Sequence, residues 1–217
     1  MDSRRAESFS DGVFAVAITI LVFNLLPIAD KTADSLTVAG RPGHPGLAHY
    51  WPSYFAYVVS FLTIGIMWVN HHNLLAQVTK VDRRVLILNL FLLMGIVAIP
   101  FPTALVADHL TGSDGGGGQA TVAAVTYGLV MIAISIGYGA MWLYLASHQE
   151  RLGARRRVPV PRQSTVRFTG GNLGYVAGTL IALVSPVTAL IIFGLLAIYY
   201  MFEHLPDPSG DSDATTG

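Results

Sequence analysis

The stretch that decides the fold is Arg4-Arg5-Ala6-Glu7-Ser8-Phe9-Ser10-Asp11-Gly12, followed by Val13-Phe14-Ala15-Val16-Ala17-Ile18-Thr19-Ile20-Leu21-Val22-Phe23-Asn24. Charge crowds its start, and after Asp11 no ionisable side chain occurs until Asp30. A helix needs about 20 mostly apolar residues to cross hydrocarbon, and this run approaches that length. Basic residues before an apolar run also suit a secretory leader. Asp11 at its start, Thr19 and Asn24 within it, and no small-residue cleavage site before Pro27 mark a mature helix instead. At about 3.6 residues per turn, Gly12, Val16, Ile20 and Asn24 share one stripe, flanked by Thr19 and Phe23. That stripe begins small, becomes apolar and ends polar.

Outward from this helix the same chemistry repeats. Apolar stretches run over about Gly12–Ile28, Trp51–Leu75, Val85–Ala107, Ala120–Ser147, Phe168–Ser185 and Pro186–Phe202, predicting six spans. The last two are separated by little more than Ser185-Pro186, which predicts a tight antiparallel hairpin with Pro186 opening the sixth helix. The whole chain of 217 residues is 53% hydrophobic and 12% charged. Soluble chains carry about 25% charge, so the solvent for much of this one is lipid. Residues 1–205 read as one all-α transmembrane domain, and 206–217, rich in Pro, Ser, Asp, Thr and Gly, as a disordered cytoplasmic tail.

Basic residues orient the chain. With six spans both termini share a side with the loop carrying Lys80, Arg83 and Arg84 and the loop carrying Arg151, Arg155, Arg156, Arg157, Arg162 and Arg167. Eleven of the thirteen basic residues fall on that side, leaving Lys31 and Arg41 opposite. The positive-inside rule makes it cytoplasmic, and the expected location is the cell inner (plasma) membrane. Zero net charge argues against nucleic acid as a partner. The absence of cysteine removes disulfides, thiolate nucleophiles, iron–sulfur clusters and cysteine zinc sites.

Polar groups inside a span mark function or a buried structural bond. The second span ends Trp68-Val69-Asn70-His71-His72-Asn73 at the depth where the first begins, so Ser10 and Asp11 should lie beside His71 and His72. A carboxylate there can accept from His, Trp or Arg, with Arg5 and Arg84 the nearest cations, and the arrangement predicts a polar clasp between helices. Adjacent His71 and His72 point about 100° apart, which argues against a shared metal. Asn89 and Asn172 suit inter-helix hydrogen bonds. Gly170, Gly174 and Gly178 suit close helix approach, Pro100 and Pro102 a kink or end in the third helix, and Trp51, Tyr54, Tyr199 and Tyr200 an interfacial belt. No GxSxG, HExxH or Walker loop is present, nor are there paired intramembrane carboxylates or a TVGYG-like filter, so an enzyme is not expected.

Arg5-x-x-x-Phe9-Ser10-Asp11 with its GVFAVAITILV continuation resembles the RxxxFSD signature of the transmembrane protein 175 family of potassium channels, in its bacterial six-helix form. The Trp68-x-x-His71-His72 ending, Asn89 and Pro100-Phe101-Pro102-Thr103 are similar to that family too. The resemblance implies a homotetramer with a central pore lined by the first helix and potassium as permeant ion, with no cofactor and no tightly bound metal. It implies apolar constrictions at Val16, Ile20 and Phe23, a polar selectivity ring at Thr19, and Asn24 at the outer pore mouth. Arg5, Phe9, Ser10, Asp11, Trp68, His71 and His72 would hold the pore helices in place. Val16 is smaller than the Ile usual in relatives, and Phe23 replaces a typical Leu.

Independently, four copies of the Gly12/Val16/Ile20/Asn24 face around an axis would enclose a path with a dry middle that gates by dewetting. Asp30 and Asp34 would gather cations at its outer end, offset in part by Lys31. These features favour cation over anion and do not distinguish potassium from sodium; with the permeant ion that the resemblance implies, the expected function is a passive potassium-selective channel. The alternative is a secondary transporter with a midplane site, suggested by the Gly-rich fifth and kinked third helices, and a weaker third reading is a scaffold without transport.

Overall fold

A computed structural model describes residues 2–26, 50–111, 118–154 and 162–202. The tail 206–217, the acidic pair Asp30 and Asp34, and Lys31 and Arg41 lie outside the described residues. Seven α-helices are described: α1 (Ser3–Ile20), α2 (Trp51–Ala76), α3 (Arg83–Ala98), α4 (Pro100–Thr111), α5 (Gly118–Ser147), α6 (Arg162–Ala182) and α7 (Pro186–Phe202), with a 3-10 turn at Leu21–Leu25 continuing α1. Because α3 and α4 form one broken span, these make six membrane-spanning segments in an all-α, multi-pass protein. Four segments are long and apolar enough to cross a membrane unaided, and the described apolar parts of α6 and α7 are shorter.

The first helix begins earlier than its apolar run. Asp2 caps it by accepting from the Arg4 amide at 3.1 Å, so the RxxxFSD segment is already helical. Its buried stripe is Ala6, Ser10, Phe14 and Ala17, continued by Leu21. This stripe packs on α2 and α3. At the centre, α5 packs against α3, α4, α6 and α7, and Ile96, Ile134 and Met141 are almost wholly buried there. Proline explains the broken third span. Pro100 and Pro102 lack the amide protons that continue a helix, and the chain turns through Ile99 before resuming as α4.

Ser185 and Pro186 make the expected hairpin. Pro186 opens α7, and the Ser185 hydroxyl shares a hydrogen bond with Thr188 at 2.8 Å. A Cβ on Gly178 would sit 2.6 Å from Phe193, and one on Gly174 3.0 Å from Leu196, so these glycines let α7 lie close to α6.

At the N-terminal end of the bundle three segments are stitched through their backbones. The Ser3 amide donates to Thr79 (3.2 Å), Thr79 to Gly153 (3.2 Å) and Lys80 to Leu152 (3.1 Å). Gly153 has φ +60°, and a Cβ there would collide with the Thr79 hydroxyl, so glycine is required. Asp82 joins this layer. It caps α3 through the Arg84 and Val85 amides, each at 3.0 Å, accepts from the Tyr144 hydroxyl at 2.7 Å, and faces Arg151 at 3.8 Å.

Candidate pore helix and its polar clasp

The two faces of α1 have different partners. On the inner face, three polar side chains form a directed chain across three helices. His71 Nε2 donates to Asn89 Oδ1 at 2.7 Å, Asn89 Nδ2 donates to Ser10 Oγ at 2.9 Å, and Ser10 Oγ donates to the Ala6 carbonyl at 2.8 Å. The directions follow from the groups. The amide oxygen can only accept and the amide nitrogen only donate, so the proton of His71 resides on Nε2. Nδ1 of His71 is buried without a hydrogen-bond partner, and the ring instead packs against Phe14, centroids 5.4 Å apart. His71, Asn89 and Ser10 are all buried, so each bond is made where water cannot replace it.

A second pair of contacts lies at the edge of α1. Trp68 Nε1 donates to Asp11 Oδ1 at 2.8 Å, and His72 Nδ1 lies 2.6 Å from Glu7 Oε1. Glu7 and Asp11 are four apart and therefore on one helical face, as are Trp68 and His72. Thus the two adjacent histidines diverge, His71 inward to Asn89 and His72 outward to Glu7. Among the described residues no three His, Cys, Asp or Glu side chains converge as a metal site.

On the outer face, Arg5, Phe9, Gly12, Val16, Thr19 and Phe23 are exposed within the chain. Val16 is 53% and Phe23 59% exposed. Thr19 satisfies its hydroxyl within the helix, donating to the Val16 carbonyl at 2.9 Å. Ile20 and Asn24 stand at the half-buried edge of this face. The physical reason is drift. A step of four residues overshoots a turn by about 40°, so Ile20 ends roughly 80° from Gly12, whereas Thr19, reached by steps of four and three, ends within about 20° of it; beyond Ile20 the 3-10 turn at Leu21–Leu25 sets the directions of Phe23 and Asn24. Asn24 turns its amide into its own protomer, with Nδ2 donating to the Pro100 carbonyl at 3.0 Å.

The sequence placed Ser10, Asp11, Trp68, His71 and His72 at one depth, and the structure brings all five to this end of α1. Arg5 is exposed, and the donor to Asp11 is Trp68. Glu7 received no role from the sequence although its spacing to Asp11 signalled a shared face. Asp82 and Tyr144 were invisible because the residues are 62 apart and pair only through tertiary packing.

Such a chain is a multi-pass helical membrane protein whose first span, among the described residues, is clasped on one face and uncovered on the other. A family model described as Endosomal/lysosomal potassium channel TMEM175 matches residues 5–100, the segment from the motif arginine to the break in the third span. A potassium channel of Streptomyces collinus is 42% identical over 218 residues, covering 98% of each chain. The crystal structure of a lysosomal potassium-selective channel TMEM175 homolog from Chamaesiphon minutus superposes with a TM-score of 0.71 at 30% identity, covering 92% of this chain and 96% of that one. The endosomal/lysosomal proton channel TMEM175 of Gallus gallus is 36% identical over 112 residues, half of this chain and 22% of that one. The chain belongs to the TMEM175 family. This is a family of channels rather than enzymes, which favours the channel over the secondary transporter.

Proposed function

We propose that this protein is a potassium-selective channel of the cell inner membrane, with both termini cytoplasmic, that assembles as a homotetramer around its four first helices. Potassium moves passively, with no cofactor, through a constriction made by Val16, Thr19, Ile20 and Phe23, and Asn24 marks the outer mouth. Arg5, Phe9, Ser10, Asp11, Trp68, His71 and His72 form the motif network that holds each pore helix in its rotation. Phe9 and Arg5 contribute on the uncovered side, where a neighbouring protomer would meet them.

The observation that carries this reading is the uncovered face of α1. It is small and polar at intervals, with Gly12, Ala15 and Thr19 exposed beside Val16 and Phe23. A face turned to lipid tails gains from bulk, whereas Gly and Thr serve close packing or water. Rings of Val, Ile and Phe supply a dry barrier, and the Thr19 ring supplies oxygen within it. The names of the bacterial relatives support potassium as the ion.

The test is flux from liposomes containing the purified protein. A potassium gradient alone should drive potassium out, with no proton or sodium movement required. Proton flux read by an internal pH dye provides the second arm, since the relative from Gallus gallus is named a proton channel. Strict coupling of potassium to either ion would overturn the proposal, and so would inert liposomes containing folded protein.

A further inference from the structure

Two irregular backbone segments meet at one depth. The first span leaves α geometry at Leu21 and continues as a 3-10 turn to Leu25, and the third span breaks between Ala98 and Pro100. Runs of 3-10 helix longer than three or four residues are uncommon and often mark hinges, so this five-residue run calls for a cause. The break is braced from one side. The Ile96 carbonyl accepts from the Ile99 amide at 3.1 Å, and the Ile99 carbonyl accepts from both the Thr103 amide (3.2 Å) and hydroxyl (2.8 Å). The Thr103 hydroxyl is itself bonded to Ser60 of α2 at 2.9 Å. Ser60 and Thr103 are buried. From the other side the buried Pro100 offers its carbonyl to Asn24 Nδ2 at 3.0 Å.

We propose that Asn24 is a positioning residue for the outer constriction: its bond to Pro100 holds Leu21–Leu25 in 3-10 geometry and so fixes the direction in which Phe23 projects. The proposal rests on the pore reading above. Neighbouring residues in a 3-10 turn are about 120° apart, so tying Asn24 inward to α4 directs Phe23 to the uncovered face. Were the segment to relax to α geometry, each residue would rotate by roughly 20° less, and Phe23 would swing by about 60° relative to Ile20. Val16 lies below the 3-10 segment and would not move. The gate thus has a lower part fixed by the clasp and an upper part set by one hydrogen bond.

Because the chain has no cysteine, single reporters are unambiguous. Val16→Cys and Phe23→Cys proteins, with and without Asn24→Leu, are reconstituted in potassium-loaded liposomes and treated with a charged methanethiosulfonate. Potassium flux and the rate of modification are followed together. Reaction at Val16→Cys must reduce flux, and its failure to do so overturns the pore reading and the inference with it. With that control met, Asn24→Leu should change the rate at Phe23→Cys by about fivefold, the population shift that one lost net hydrogen bond permits, and leave the rate at Val16→Cys unchanged. Pro100→Ala, which restores an amide proton to the break, should shift the Phe23→Cys rate too and add little when combined with Asn24→Leu. Equal changes at both reporters, or none in either variant, overturn the role of Asn24.

Discussion

Two helices present uncovered faces of opposite character. On α1 the exposed residues include Gly12, Ala15, Val16 and Thr19, and on α3, beyond Arg83 and Arg84 at its start, they are Ile87, Leu90, Phe91, Met94 and Val97, continued by Phe101 of α4. Among the described residues both faces lack partners, yet only the second is bulky and apolar throughout, as contact with lipid tails favours. On the pore reading proposed above, the difference is one of solvent. Exposure alone does not distinguish a pore face from a lipid face; side-chain size and the spacing of polar groups do. The clasp matters because it fixes which face of α1 is which.

The largest effect should come from placing a charge on each face. Met94→Asp puts a carboxylate against hydrocarbon and should cost about 3 kcal/mol, seen as loss of folded protein on size exclusion and in thermal unfolding. Val16→Asp should be better tolerated, because on the pore reading its carboxylate wets the constriction instead of meeting lipid, and should raise cation flux. Equal damage at both positions would break the comparison.

Next in size is the clasp. Asn89→Leu removes both the acceptor for His71 and the donor to Ser10, and thermal unfolding in detergent should report a loss of about 2 kcal/mol. Met94→Leu on the uncovered face of α3 should stay within about 0.5 kcal/mol. Shape changes on the two faces sharpen the contrast. Val16→Ala and Ile20→Ala should alter potassium conductance or ion preference in single-channel recordings, whereas Leu90→Ala and Phe91→Ala should leave both unchanged.

The smallest effect concerns neither face but the layer that anchors them. Desolvation opposes the charge on Asp82, but the Tyr144 hydroxyl, the Val85 amide, Arg151 and the Arg84 amide together hold its carboxyl below the ordinary carboxylate range. A group depressed in the folded state stabilises the fold above its unfolded pKa, and that contribution disappears as pH falls through the folded value. Asp82→Asn keeps a capping oxygen but removes the charge, and since a hydrogen bond to a charged group is worth about 1 kcal/mol more than a neutral one, it should cost about that near neutral pH and flatten the acid side of a stability-against-pH curve. An unchanged acid limb would show that the cap carries no linkage.

Much of the fold was legible because lipid demands runs of about 20 apolar residues, and such runs can be counted. The motif, the placement of Trp68 and His71 against the first helix, and the Ser185-Pro186 hairpin followed from local rules. Three features did not. A period of 3.6 blurred the difference between Ile20, half-buried at the edge, and Thr19, on the open face, since the drift accumulates only over several turns. Pro100 announced a break, but not that its carbonyl would be claimed by Asn24, 76 residues earlier. The Asp82 and Tyr144 pair depends on how α5 comes to rest against α3, which no local spacing encodes.

The most direct measurement is a structure of the reconstituted assembly in a lipid disc. It should show a four-fold axis with Val16, Thr19 and Phe23 facing it from each copy, and the Leu90, Phe91 and Met94 face turned to lipid. An assembly in which α1 turns Val16 toward lipid or packs it away from any axis, with another helix lining the path, would contradict the assignment of the pore.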